Sequence, residues 1–81
     1  MKKETAKKRI TNAINKEYAN ETELVRNYLI EVAMLTWENL ETDYDACHDD
    51  GSPYNGTENL KYALSTIDGF VLDEARRETN K

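Results

Sequence analysis

One cysteine, one histidine and one proline are all this chain has of the residues that most often staple, ligate or interrupt a small domain. The lone thiol of Cys47 cannot close an intramolecular disulfide, and a single Cys with a single His falls short of the four ligands structural zinc takes. Glycine is nearly as scarce: of three, Gly51 and Gly56 fall close to Pro53, so turn signals concentrate in one place. No apolar run approaches the roughly 18 residues of a membrane-spanning helix. The basic start MKKETAKKRI is not followed by the apolar segment of a secretory signal. A soluble protein of a reducing cytoplasm, away from membranes, is therefore expected. Glycine-rich phosphate loops and a serine-centred nucleophile motif are also missing, which points away from catalysis and from a bound cofactor.

What is present favours helices. The chain has 81 residues, 38% hydrophobic and 33% charged, enough for one small domain. At that size a single core supplies only about 3–5 kcal/mol of net stability, and pairing with a second copy is a common remedy. The net charge of -5 hides an asymmetry. Residues 1–20 hold six basic side chains against two acidic ones, a net of +4, whereas residues 21–81 hold five against fourteen, a net of -9. The two parts of the chain thus carry opposite fields.

The chain is organised around residues 21–45, read as one long helix whose apolar positions cover roughly two thirds of its circumference. Leu24, Val25, Tyr28, Leu29, Ile30, Val32, Ala33, Leu35, Trp37, Leu40 and Tyr44 form this girdle. A stripe of only about 100° suffices for a surface helix, so this one should be central, with neighbours on both sides or a second chain. The remaining arc carries Glu23, Asn27, Glu31, Glu38, Glu41 and Asp45, an acidic ridge with Met34 set into it.

Before it, residues 4–18 place Ala6, Ile10, Ala13, Ile14 and Tyr18 on one face of a second helix. Asn20 followed by Glu23 has the spacing of a capping box. The joint at Ala19 and Asn20 is so short that three arrangements stay open: a full reversal, an open angle, or one continuous kinked helix. After a turn-rich acidic loop, 46–57, a third helix is expected over 58–78, with Leu60, Ala63, Leu64, Ile67, Phe70, Val71 and Ala75 as its stripe. Gly69 within it points to a close helix crossing, a local bend or simply a weakened turn. The expected fold is all-α: a small three-helix domain built on a long central helix and an antiparallel helical hairpin. The wide girdle and the short joint also favour a dimer.

The loop resembles a cation site in composition, but its register does not fit. An EF-hand with Gly51 as its sixth residue would need ligands at Ala46, His48 and Asp50 and a glutamate where Thr57 stands. Cys47 and His48 are adjacent, an arrangement that rarely aims a nucleophile at its base. No metal site and no catalytic residue is assigned.

Two surfaces remain. Glu31, Glu38, Glu41, Asp45, Asp49 and Asp50 lie along one side and end of the central helix, with Met34 and Tyr54 as apolar anchors. Spaced carboxylates of this kind can occupy a groove built for phosphates. Lys8, Arg9, Asn12, Asn15 and Lys16 share the outer face of the first helix and are of the types that reach phosphates and base edges. In size, charge and lack of catalytic apparatus the chain resembles the small accessory proteins of bacteriophages and mobile elements, inhibitors of host defence among them. That likeness implies a non-enzymatic interaction protein of the bacterial cytoplasm, binding a host protein with a basic groove by imitating nucleic acid. The alternative is a small DNA-binding regulator that uses the basic helix.

Overall fold

Within residues 2–42 and 56–80, the part of the chain our computed structural model describes, every regular element is helical. α1 spans Lys3–Glu17, α2 Glu23–Thr42, α3 Gly56–Ser65 and α4 Gly69–Thr79. The all-α expectation holds, with four helices among the described residues in place of three.

α1 forms where the pattern placed it. Ala6, Ile10 and Ile14 recur every four residues and are at most 1% exposed, so one narrow stripe is buried and the rest of the helix faces water. Glu4 in its first turn and Lys16 in its last suit the helix dipole.

The following joint is a full reversal, and it takes residues 18–22. The Glu21 amide donates to the Tyr18 carbonyl at 2.9 Å, closing a turn. The Thr22 hydroxyl then accepts from the Val25 amide at 3.2 Å. Thr22 is thus the cap of α2, two residues later than the capping box at Asn20 predicted, because Ala19 and Asn20 alone do not turn the chain. Lys3 Nζ lies 2.5 Å from Glu38 Oε1 at one end of the hairpin. At the other, Arg26 Nη1 donates to Asn15 Oδ1 at 3.2 Å. These pairs fix α1 and α2 as antiparallel neighbours.

α2 is central, touching α1, α3 and α4; α1 and α3 also meet, while among the described helices α4 packs on α2 alone. Its inner side is Val25, Leu29, Ala33 and Trp37, each at most 4% exposed. Neighbours from the same chain cover most of the girdle, so its width does not by itself require a second copy.

The expected third helix is broken. Ser65 and Thr66 turn their hydroxyls back onto the carbonyls of Tyr62 and Ala63, both at 2.7 Å, and the Ile67 amide donates to Leu64 at 3.2 Å instead of to Ala63, so the ladder ends there. Asp68 is extended and its carboxylate accepts from the Val71 amide at 3.0 Å, starting a new helix. Gly69 is therefore the first residue of α4, and nothing lies within 4 Å of where its Cβ would be, so no close crossing explains it. The break also resets the helical phase. Ala75 stays buried with Val71 and Leu72 packed beside the core, but Phe70, predicted on the same stripe, turns outward at 71% exposure. Tyr18 donates its hydroxyl to the Ile67 carbonyl at 3.5 Å, so the α1–α2 joint meets the α3–α4 joint.

Candidate functional site

The outer face of α2 and its two flanks hold most of what the sequence singled out. On this face Glu31 is exposed and Glu38 half-buried, the latter paired with Lys3 of α1. Met34 is a correction: predicted as an anchor within the acidic ridge, it is only 9% exposed and belongs to the core, because α1 closes over that side of the helix. Leu24 and Leu35, predicted within the buried girdle, go the other way, at 62% and 57% exposure. The open arc is rotated from the predicted one by part of a turn. The side chain of Glu41, together with Asp45, Asp49, Asp50 and Tyr54, lies outside the described residues, as do Cys47, His48 and the loop weighed as a cation site.

Along the seam between α1 and α2 runs a shallow groove of about 460 Å³. Ile30, Met34 and Leu35 form its floor, with Lys3 and Lys7 on the α1 wall and Glu31 and Glu38 on the α2 wall. Farther along the same helix a second groove, about 420 Å³, lies between the start of α2 and the end of α4 and is lined by Leu24, Val25 and Thr79. At its edge Arg76 of α4 pairs with Glu21. The guanidinium, donating hydrogen bonds to the carboxylate, holds Glu21 below its ordinary value despite partial desolvation, and the carboxylate raises Arg76 in return.

Around Tyr28 the α4 flank is negative, while Arg76 borders the second groove. Burial pushes the Tyr28 phenol up, and the carboxylates of Glu74, Glu78 and Glu31 push it the same way, so negative charge gathers at that point of the face. The α1 flank is positive, through Lys3 and Lys7. Sequence reasoning missed this division because it treated the acidic ridge and the basic helix as separate surfaces. The antiparallel hairpin brings their edges together.

The basic candidates keep their predicted placement. Lys8, Arg9, Asn12, Asn15 and Lys16 are all exposed on α1. Arg26 was overlooked: it extends this patch from α2, reaching Asn15 while its own Nε is buried without a partner. The Trp37 indole N–H and the Asn59 amide oxygen are likewise buried and unpaired.

Among the described residues no group of three or more His, Cys, Asp or Glu side chains could hold a metal ion. None of the described helices is long and apolar enough to cross a membrane. No family model matches the chain, and no curated protein or solved structure does either. Both grooves are shallow, with apolar residues along their floors and charged side chains at their edges.

Proposed function

We propose that this chain is a non-enzymatic protein-interaction module that docks a basic partner through the acidic side of α2. The observation that carries this reading is Glu31, an exposed carboxylate at the mouth of a groove with an apolar floor. An apolar centre with charge at the rim is the ordinary anatomy of a protein contact, and both grooves are too open to sequester a small substrate. In its narrower form the partner is a host nucleic-acid-binding defence protein, and the carboxylates of Glu31, Glu38, Glu41, Asp45, Asp49 and Asp50 stand in for phosphates. Lys3 neutralises Glu38, so on the described part of the surface Glu31 carries most of that role. Capture from a bacterial lysate tests it: a partner released by salt and lost on Glu31→Lys supports the reading. A partner still held after all six carboxylates are made neutral counts against it.

The second reading, a DNA-binding regulator, is favoured by the open basic face of α1, now extended by Arg26. Reversing Lys8, Arg9 and Lys16 would then abolish a gel shift. Its affinity would fall with salt at a logarithmic slope of about -0.9 per phosphate neutralised.

A further inference from the structure

Leu24 and Leu35 are the two large aliphatic side chains of α2 left open, every other described Leu, Val or Ile of that helix being buried or half-buried. Lying about 20° apart around the helix and roughly 16 Å apart along it, they belong to one line. Leu24, Tyr28, Glu31, Leu35 and Glu38 alternate steps of four and three residues, the spacing of a coiled-coil seam. Both shallow grooves open along that seam, one holding Leu35 and the other Leu24. A straight line about three turns long, apolar at both ends and charged at its middle, walled by α1 on one side and α4 on the other, fits a rod.

Charge selects the rod. Glu31 sits in the seam between the two leucines with Glu74 nearby around Tyr28, so whatever covers this line must bring a cation to its middle. Lys7 on the opposite wall asks for an acid at that edge. A second copy fits poorly: paired parallel, its seam sets Glu31 against Glu31, and paired antiparallel with Leu24 against Leu35 it sets Glu31 against Tyr28 and brings no cation. We propose that the outer face of α2 receives one amphipathic helix of a partner protein. This helix presents two aliphatic anchors about three turns apart to Leu24 and Leu35, a Lys or Arg between them to Glu31, and an acidic residue to Lys7. The inference rests on reading the acidic side of α2 as the docking face, and it adds the shape and register of what docks.

The test uses a fluorescein-labelled helical peptide of about four turns carrying two leucines about three turns apart on one face, lysines between them and a glutamate at the edge that meets Lys7, with a twin carrying glutamate at every lysine. Fluorescence anisotropy at about 0.15 M salt should show saturable binding of the lysine peptide and not of its twin. Leu35→Ser and Leu24→Ser should each weaken it about tenfold. Phe70→Ser, equally exposed but off the seam, should leave it unchanged, and Glu31→Lys should reverse the preference between the twins. Circular dichroism checks that each variant is folded. Absence of saturation, equal binding of both twins, or indifference to both leucine substitutions overturns the proposal. So does a self-associated chain that Leu35→Ser splits in sedimentation, since a second copy would then own the seam. A lysate partner that needs Glu31 but neither leucine would leave the docking function standing and remove only the helix.

Discussion

Leu29 and Leu35 share a helix and a side chain, yet the first is 0% and the second 57% exposed. Six residues on a helix turn the direction of a side chain by about 120° in net angle, enough here to pass from the core to open water. The inner side of α2 holds the fold together and the outer side is free to be used, so identical residues answer to different demands. Substitutions can pull the two sides apart.

The largest effect belongs inside. Leu29→Ala should cost about 2–5 kcal/mol, read from urea unfolding monitored by circular dichroism, because it empties a fully closed site. For a domain of this size that is a large fraction of the total. Next comes the break that turns Phe70 outward. Asp68→Ala removes the cap of α4 and should lower stability by about 1 kcal/mol. Gly69→Ala should act oppositely, raising stability by about 0.4–1 kcal/mol, since a methyl there meets open space and narrows the unfolded ensemble. Leu35→Ala, on the outer side, should change stability by less than about 0.5 kcal/mol. If it costs as much as Leu29→Ala, the division of α2 into two sides is wrong.

The smallest effect concerns pH. Glu21 is held below its ordinary value by Arg76, so its contribution is present above the unfolded carboxylate pKa and is lost as pH falls through the folded value. Glu21→Gln should lower stability slightly at neutral pH and leave it unchanged well below the folded value, flattening the acid limb below about pH 4.3.

The residues that revealed the fold are those whose period alone decides their side. Ala6, Ile10 and Ile14 sit four apart with charged neighbours, and nothing but a one-sided helix satisfies them. The joint after Tyr18 was visible as an interruption, but its length was not, since Thr22 competes with Asn20 for the cap and only the reversal decides between them. The break at 66–68 was hidden because Gly69 could be placed inside one periodic stripe. The cue lay in the run Ser65, Thr66, Ile67, Asp68, where two hydroxyls and a cap compete with the backbone ladder. On α2 the difficulty is different. A helix apolar over most of its circumference gives almost no information about which leucines will be left outside, because that choice is made by where α1, α3 and α4 happen to lie. The polar arc was legible through Glu31; its apolar border at Leu24 and Leu35 was not.

Because α4 rests on α2 alone among the described helices, its amides should be the first of those helices' to swap their hydrogens with heavy water, through a partial opening that leaves the α1–α2 hairpin closed. The molecule would then breathe at one edge, and the Leu24 groove would widen with each such excursion.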